Sequence, residues 1–257
     1  MEWYHTLELA PGVETPGWFD TRPLVAQLPF PASLAGKRCL DVGTFDGFWA
    51  FEMERRGASE VLAVDVIDPQ GWDWPADSEP SAIEAIAQRK GRGEGFEVAK
   101  EALGSRVTRR ELSSYDLDPA DVGRFHVIYV GSLLLHLRDP IGALMRVRAV
   151  CDGTALMMDR VSLLLSALAP GVPLARLDGK GRPWWWNPNR AALLRYIEAA
   201  GFEVVGKPRR VSIPPGRAQV RAPLRPRTMI SRGGREALLV SRRGDPHLAV
   251  LARPANA

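Results

Sequence analysis

The feature that most constrains the fold of this chain is a regular alternation of short apolar runs and helical patterns after Lys37. Such alternation is typical of βαβ units, in which helices cover both faces of a parallel sheet. The sequence therefore predicts an α/β fold built on one sheet. Seven strands are expected at 38–42, 61–65, 106–112, 125–130, 155–158, 202–205 and 248–252, and helices at 47–56, 81–88, 140–150 and 191–200.

Composition places the chain among ordinary globular proteins, because 46% of its 257 residues are hydrophobic and 25% are charged. No run reaches the roughly 18 to 20 apolar residues of a membrane helix, and the N-terminus has no basic region followed by an apolar one. We therefore expect a cytoplasmic protein with no membrane partner. Two isolated cysteines, Cys39 and Cys151, exclude a disulfide framework and a cysteine–zinc site. No metal-ligand cluster is evident in the sequence.

Three regions are expected along the chain. Residues 1–35 form an aromatic-rich N-terminal arm over the binding site, and residues 36–257 form the main domain. Within that domain, residues 66–104 are rich in proline and glycine around a short helical stretch. Irregular connections of this length are uncommon in compact domains and are often functional. We therefore predict a lid-like insertion there.

Basic residues are concentrated near the C-terminus. Residues 201–257 contain Lys207 and eleven arginines against Glu203, Glu236 and Asp245, a local net charge of +9, whereas the whole chain carries +4. A basic region of this kind can bind RNA or another polyanion. A chain biased toward Ala, Arg, Pro and Gly can also have this composition without such a partner, so RNA is one alternative.

A glycine turn follows the first predicted strand, in the segment Leu40-Asp41-Val42-Gly43-Thr44-Phe45-Asp46-Gly47. Glycine there lets the backbone pass close to a ligand. Asp65 ends the second strand, where an acidic residue accepts ribose hydroxyls in nucleoside-binding sheets. The dinucleotide fingerprint requires G-x-G-x-x-G, but Phe45 stands at its second glycine. Because Asp41 would repel a diphosphate and attract an ammonium group, a nicotinamide cofactor is disfavoured.

These motifs resemble those of class I S-adenosylmethionine-dependent methyltransferases. The resemblance rests on their order along the chain: Asp41-x-Gly43-x-Phe45-x-Gly47, then Asp65, then the strand 125–130, then Gly131-Ser132-Leu133-Leu134-Leu135-His136. It implies a Rossmann-like sheet of seven strands with helices on both faces, and S-adenosylmethionine as cofactor. Phe45 departs from the family, in which most members have glycine.

Within this superfamily the chain is similar to the bacterial tRNA wobble-uridine carboxymethyltransferases. The similarity rests on the aromatic arm, on Leu134-Leu135-His136 with Asp139-Pro140, and on Trp185-Trp186-Asn187-Pro188-Asn189. In that group a tyrosine and an arginine read the extra carboxylate of a carboxylated cofactor. Leu135 and Leu248 stand at these two positions here. The resemblance therefore implies plain S-adenosylmethionine.

The resemblance also implies roles for individual residues. The methionine end of the cofactor is expected at the glycine turn, the ribose at Asp65 and Val66, and the adenine at Ser114 and Tyr115. Arg22 on the arm is expected to pair with the methionine carboxylate. The full set of expected cofactor-binding residues is Trp18, Arg22, Asp41, Gly43, Thr44, Gly47, Asp65, Val66, Ser114, Tyr115 and Gly131.

Methyl transfer to a hydroxyl oxygen requires alignment, desolvation and a proton acceptor, for which histidine is the commonest residue. His136, after the fourth strand, is the predicted catalytic base; the alternative is a histidine hydrogen-bonded to loop backbone. His5 on the arm could also reach the site and is assigned to substrate binding. His126 is expected to be packed within the fourth strand, and His247 to lie in a turn.

Three further residues are expected to contact the substrate: Asp159, Trp185 and Asn187. Asp159 follows the fifth strand, and its alternative role is that of a surface loop residue. Trp185 belongs to a run of three tryptophans whose ring faces suit sugars, aromatic rings or nucleobases. Its neighbours Trp184 and Trp186 are expected to pack beneath the following helix.

Three functions are open at this point. The first is O-methylation of a small molecule, either a sugar or a specialised metabolite. The second is methylation of tRNA at the wobble uridine, which the basic C-terminal region favours. The third is a nucleotide-binding module without turnover, in which Phe45 blocks a productive cofactor position. The sequence leaves a homodimer open.

Overall fold

The computed structural model describes residues 2–90, 93–220 and 232–255. The arm contains two small ribbons. Strand β1 (Trp3–His5) pairs in parallel with β4 (Gly17–Phe19), and β2 (Glu8–Ala10) pairs antiparallel with β3 (Val13–Glu14). A Cβ atom on Gly17 would lie 2.2 Å from the carbonyl carbon of His5, so this close pairing requires glycine.

One buried carboxylate ties the arm to the glycine turn. Asp46 is 2% exposed and accepts the backbone N–H groups of Tyr4 and His5, each at 2.8 Å. Its other oxygen bonds to Nδ1 of the His5 ring. Three donors on β1 therefore depend on one side chain of the main domain, and this contact fixes the arm over the turn.

The central sheet has the strand order β12–β14–β9–β8–β5–β6–β7, with β13 also paired to β14. Strands β5 to β9 pair in parallel, whereas β14 is antiparallel to β9. The strands are β5 (Arg38–Val42), β6 (Glu60–Asp65), β7 (Thr108–Glu111), β8 (Phe125–Gly131), β9 (Cys151–Arg160), β12 (Phe202–Val204), β13 (Arg209–Ile213) and β14 (Asp245–Pro254). A separate hairpin joins β10 (Ala175–Leu177) to β11 (Trp186–Pro188).

Strands β12 and β13 are two parts of one edge strand. Both pair antiparallel with β14, and the pairing is interrupted around Gly206 and Pro208. Gly206 has a left-handed φ of 71°, and proline has no N–H to donate to the ladder. Counted in this way the sheet has seven strands, which confirms the predicted fold class.

Helices pack on both faces of the sheet because successive residues of each strand point to opposite sides. On β5, Leu40 and Val42 belong to one apolar cluster, whereas Cys39 belongs to the other. The helices are α1 (Phe48–Arg55), α2 (Pro80–Lys90), α3 (Glu94–Leu103), α4 (Pro119–Val122), α5 (Pro140–Ala149), α6 (Leu163–Leu168), α7 (Arg190–Ala199) and α8 (Arg232–Arg243).

Sequence reasoning missed several elements and misplaced two histidines. Helix α3 and strand β13 were not predicted. His247 lies in β14 and is 1% exposed, so its assignment to a turn was wrong. His126 lies in β8 as expected, but it is exposed rather than packed. Across the described ranges, no helix combines the length and apolar character needed to cross a bilayer.

We expect Asp46→Ala to lower the free energy of unfolding by about 3 kcal/mol, because two buried backbone N–H groups and the His5 ring lose their acceptor. Urea denaturation measures the change. Asp152→Ala is the matched control, because the pair between Asp152 and Arg124 is 52% exposed on each side chain and such pairs contribute little. Equal losses in the two variants would contradict the proposed role of Asp46.

Candidate active site

A cavity of about 620 Å³ lies at the carboxyl ends of the parallel strands. Its walls come from the sheet, from the arm and from the segment between β6 and β7. Carboxyl ends of strands are where open α/β sheets bind ligands. Most of the predicted site residues line this cavity: His5, Trp18, Asp41, Gly43, Thr44, Asp65, Val66, Ser114, Tyr115, Gly131 and His136.

The turn after β5 brings backbone to the cavity wall. Gly43 has a left-handed φ of 78°, and its N–H donates to the carbonyl of Val64 at 2.8 Å. Phe45 also has a left-handed φ, 51°, which is uncommon for a residue with a side chain. Its N–H donates to Asp65 at 3.0 Å, and its ring centroid lies 5.3 Å from that of Tyr4. The ring packs against the arm and leaves the cavity open.

Asp41 is a buried acid at the cavity wall. It is 2% exposed, and its Oδ2 accepts the Thr44 hydroxyl at 2.7 Å. Burial raises the pKa of Asp41 from 3.8 to about 7, although the Thr44 hydrogen bond and the His5 ring act in the opposite direction. Near neutral pH the group is therefore divided between carboxylic acid and carboxylate. A cation bound beside it would favour the carboxylate.

Asp65 is already engaged by Lys90 from α2. The Lys90 ammonium is 2.9 Å from the Asp65 carboxylate and 2.8 Å from the Val66 carbonyl. It also lies over the rings of Phe45 and Trp72, at 5.1 and 4.7 Å from their centroids. Each carboxylate oxygen has two lone pairs, so Asp65 retains capacity to accept a ligand hydroxyl beside the lysine. Sequence reasoning did not identify Lys90.

The segment after β6 is fastened over the cavity by Asp73. Its Oδ2 accepts the Tyr115 hydroxyl at 2.6 Å and the Arg138 N–H at 2.7 Å. The Asp73 carbonyl accepts the indole N–H of Trp185, also at 2.6 Å. Trp72 from the same segment lines the cavity. These contacts place residues 71–73 across the adenine side of the predicted site.

His136 lines the cavity as a neutral base. Its Nδ1 lies 2.7 Å from the carbonyl of Pro183, which can only accept, so Nδ1 carries the hydrogen and Nε2 is the acceptor nitrogen. Burial lowers the pKa of His136 to about 4. The ring is therefore uncharged at neutral pH, and one backbone carbonyl sets its tautomer.

The structure does not bring five of the predicted residues into the cavity. Arg22 forms ion pairs with Asp20 and Glu14, whose carboxylates occupy its guanidinium. Gly47 is the N-cap residue of α1. A Cβ on Gly47 would lie 2.5 Å from the Phe51 ring, so this glycine packs against the protein core and does not line the cavity. The other three are Trp185, Asn187 and Asp159.

These three residues have structural contacts instead. Asp159 is 1% exposed and accepts the N–H groups of Leu133, Leu134 and Arg160 at 2.7 to 3.0 Å. It therefore holds the 3-10 turn Leu134–His136 that carries the predicted base. Asn187 is buried within β11. Trp185 bonds to Asp73 and packs under the Arg138 guanidinium, outside the cavity walls.

Several cavity residues had no role in the sequence prediction. Trp184, expected to pack beneath a helix, lines the cavity, and the guanidinium of Arg182 lies 3.8 Å from its ring centroid. Tyr4, Tyr129, Ser132 and His247 also line it. Tyr4 stands in the aromatic arm segment, which was the one available signal. Within residues 2–90, 93–220 and 232–255, no group of three His, Cys, Asp or Glu side chains could hold a metal ion.

The residues present fit a nucleoside cofactor with a cationic end. The glycine turn lies next to a buried acid that a cation would ionise, and an acidic residue at the end of β6 can accept ribose hydroxyls. Buried Ser114 and half-buried Tyr115 lie beyond it on the side of β7. A volume of about 620 Å³ lies within the range of small-ligand sites.

Comparison with known proteins gives the family. A family model described as a methyltransferase domain matches residues 20–207. The chain belongs to this family, which confirms the predicted class of enzyme. Among curated proteins, the tRNA U34 carboxymethyltransferase of Ectopseudomonas mendocina (strain ymp) is 27% identical over 173 residues, covering 67% of this chain and 47% of the relative. The chain thus spans about half the length of this curated relative.

Two solved structures show the same fold at lower identity. One is the 1,6-didemethyltoxoflavin-N1-methyltransferase of Burkholderia thailandensis with bound 1,6-didemethyltoxoflavin and S-adenosylhomocysteine. It is 19% identical, with a TM-score of 0.51, and covers 92% of this chain and 78% of its own. The other is the N-terminal domain of EvdMO1 in the presence of S-adenosylhomocysteine and D-fucose. It is 16% identical, with a TM-score of 0.52, and the match covers 98% of this chain and 91% of that domain.

We expect Asp41→Asn to stabilise the chain at pH 8 by on the order of 4 kcal/mol and to leave its stability near pH 4 unchanged. The folded-state pKa of Asp41 is raised, so its contribution to stability is full below pH 4 and is lost as the pH rises through about 7. The amide has no charge to bury. Thermal unfolding from pH 4 to 8 measures the difference; Asp68→Asn, at an exposed position, is the control. If the stability of wild type and of Asp41→Asn changed with pH in the same way, the raised pKa of Asp41 would be contradicted.

Proposed function

We propose that this protein transfers the methyl group of S-adenosylmethionine to a hydroxyl of a small molecule, a sugar or a specialised metabolite. The observation that carries the proposal is the cavity itself. Its walls are closed by the arm and by residues 71–73, and they combine indole rings with a few polar groups, which is typical of small-molecule sites. S-adenosylmethionine as cofactor is supported by the family and by the S-adenosylhomocysteine of both structural relatives.

Each part of the cofactor has matching residues in the walls. Asp41 and Thr44, at the turn, would hold the amino-acid end, and the Asp41 carboxylate would attract its ammonium group. Asp65 would accept the ribose hydroxyls, and Ser114 and Tyr115 would border the adenine. When bound, the cofactor supplies an activated methyl group on a sulfonium. The chain's own task is to orient the acceptor, to exclude water and to accept a proton.

The charges of the cavity favour plain S-adenosylmethionine over a carboxylated form. Three cationic side chains line the described walls, and each is paired with a carboxylate: Lys90 with Asp65, Arg160 with Asp245, and Arg182 with Asp178. Leu135 gives an apolar wall, and Leu248 is fully buried in the core. An extra carboxylate on the cofactor would meet no uncompensated cation among these residues.

His136 is the proposed proton acceptor. The Pro183 carbonyl holds its ring in the tautomer with an unprotonated Nε2, and its pKa of about 4 keeps that nitrogen available at all pH values above about 5. An acceptor hydroxyl could donate its hydrogen to Nε2 as its oxygen is methylated. A base with a pKa of about 4 is weak, so it can take the proton only late in the transfer, after bond formation to the methyl carbon has made the hydroxyl proton strongly acidic.

Methylation of tRNA is the second candidate, because the curated relative is named a tRNA U34 carboxymethyltransferase. The basic residues that suggested RNA are partly used within the chain. Arg217 pairs with Glu14, Arg253 pairs with Glu203, and Arg209 donates to the Gln27 carbonyl. Arg221, Arg225 and Arg227 lie outside the described residues. Only the pair with Glu14 lowers the local charge below +9, because Glu203 is already counted in that figure and a carbonyl carries no charge.

We expect radiolabel from S-adenosyl-[methyl-³H]methionine to enter a low-mass metabolite fraction and not a tRNA pool. The expected rate changes little between about 50 and 200 mM salt, because few phosphates are neutralised on binding. Heat-denatured protein is the blank. Labelled tRNA together with a steep loss of rate in added salt would establish the second candidate instead.

We expect His136→Asn to lower kcat by about 10²-fold or more, because the amide can still donate to the Pro183 carbonyl but offers no basic nitrogen in place of Nε2. The Kd for S-adenosylmethionine should stay within a factor of about two. His126→Asn is the matched control, because His126 is exposed on β8 and outside the cavity. A wild-type kcat in His136→Asn would remove this residue from the chemistry.

A further inference from the structure

The cavity has a second side, which the proposed cofactor contacts do not use. In the sheet order, β6 and β7 lie on one side of β5, whereas β8, β9 and β14 lie on the other. Asp65 and Tyr115 line the first side. Ser132 and His247 line the second side, together with Tyr4 from the arm. An acceptor bound in the same cavity would therefore lie toward Ser132 and His247.

His247 is hydrogen-bonded to Ser132 on this side. Nδ1 of buried His247 is 3.1 Å from the carbonyl of Asp245, which can only accept, so Nδ1 carries a hydrogen. Nε2 lies 2.9 Å from Oγ of Ser132. Whichever of these two atoms donates, Ser132 Oγ uses at most one of its two lone pairs and keeps at least one for a ligand.

The backbone at Ser132 is held in an unfavourable conformation. Its φ is 51°, in the left-handed region that is unfavourable for a residue with a Cβ. Its N–H donates to the carbonyl of Met158 at 2.8 Å, which keeps the residue at the end of β8. Strain of this kind concentrates at functional sites. Glycine would adopt this backbone conformation without strain. A role for the hydroxyl group therefore explains why serine stands here.

Tyr129 supplies a donor beside this acceptor. Its side chain is 2% exposed and lines the cavity, and its Oη has no hydrogen bond of ordinary geometry within the described residues. A Cβ on Gly131 would lie 2.3 Å from this oxygen, so the phenol lies directly against the backbone next to Ser132. Stacking on Trp49, at 4.6 Å between centroids, holds the ring in place. A buried hydroxyl without a partner is costly unless a ligand provides one.

We propose that Ser132 and Tyr129, with His247 hydrogen-bonded to Ser132, form a subsite for a hydroxyl group of a sugar-like acceptor. This inference rests on the proposed function and specifies its substrate class. One ligand hydroxyl donates to Ser132 Oγ and accepts from Tyr129 Oη, so the buried Tyr129 hydroxyl gains a partner.

An aromatic wall borders this subsite. The Trp184 ring lies 5.9 Å below the guanidinium of Arg160, which pairs with Asp245 beside His247. An indole face packs against apolar surface, and one face of a pyranose ring is made of C–H groups. A sugar carries several hydroxyls around such a ring, so it can use Ser132, Tyr129 and His136 together. A simple phenol has one hydroxyl and would leave some of these groups unpaired.

The test uses the whole chain saturated with S-adenosylhomocysteine, whose binding is measured by calorimetry in every sample. Saturation-transfer NMR then measures binding of D-fucose, of a panel of other hexoses and 6-deoxyhexoses, and of phenol as the comparator. The variants are Ser132→Ala and Tyr129→Phe. The matched controls are Ser59→Ala and Tyr196→Phe, which change the same atoms outside the cavity.

We expect at least one sugar of the panel to bind more tightly than phenol. Ser132→Ala and Tyr129→Phe should each weaken that sugar about tenfold or more, whereas the controls and the affinity for S-adenosylhomocysteine should not change. Normal cofactor binding with no sugar bound, or with a sugar bound equally by both variants, would overturn the inference and leave the proposed function standing. Absence of S-adenosylhomocysteine binding in wild type would overturn the proposed function and the inference with it.

Discussion

The arrangement of this site depends on the Asp46 carboxylate. It receives the backbone N–H groups of Tyr4 and His5 and the His5 ring, and so attaches the arm to the turn after β5. The arm is also attached near the end of β13, where the N–H of Gly216 donates to the Trp18 carbonyl at 2.7 Å. Asp46 therefore fixes mainly the end of the arm that carries Tyr4 and His5. Because three donors share one buried acceptor, the arm is held by hydrogen bonds rather than by apolar area alone.

The buried carboxylates have different roles, which depend on the groups around each of them. Asp46 and Asp159 accept several backbone N–H groups each and serve as structural anchors, Asp159 for the turn that carries His136. Asp41 receives one hydroxyl and has a pKa raised to about 7 by burial, so it destabilises the chain when ionised. A cationic ligand end would compensate that cost. The least satisfied acid is therefore the one best suited to bind the cofactor.

Much of the fold could be predicted because the central parallel strands β5, β6 and β8 contain apolar runs. The carboxyl ends of the parallel strands then located Asp41, Asp65 and Ser114 correctly at one cavity. Two kinds of error remained. Arg22 was assigned to the cofactor, but Asp20 and Glu14, both nearby in sequence, neutralise it. His247 was placed in a turn, whereas β14 begins at Asp245 by pairing with the edge strand β13.

The three tryptophans show why side-chain direction could not be predicted. Adjacent residues in extended chain point to opposite sides, so an error of one position reverses the assignment. Trp184 faces the cavity and Trp185 bonds to Asp73, the opposite of the prediction. Lys90 and Tyr129 act through contacts that only the folded chain creates. Lys90 belongs to no motif. Tyr129 lies in the strand 125–130 of the family resemblance, but nothing in that strand's sequence singles out its hydroxyl.

The most direct test of this account is calorimetry of S-adenosylmethionine binding to the intact chain at pH 6 and pH 8, in buffers of different ionisation enthalpy. The account predicts one site per chain. The ammonium end should draw the proton from Asp41, so binding at pH 6 should release close to one proton. Affinity should rise about threefold by pH 8, because ionisation of Asp41 favours binding while partial loss of the ligand's own ammonium proton opposes it. Absence of binding, or binding without proton release at pH 6, would contradict the central claim that a buried acid at the glycine turn receives the cationic end of the cofactor.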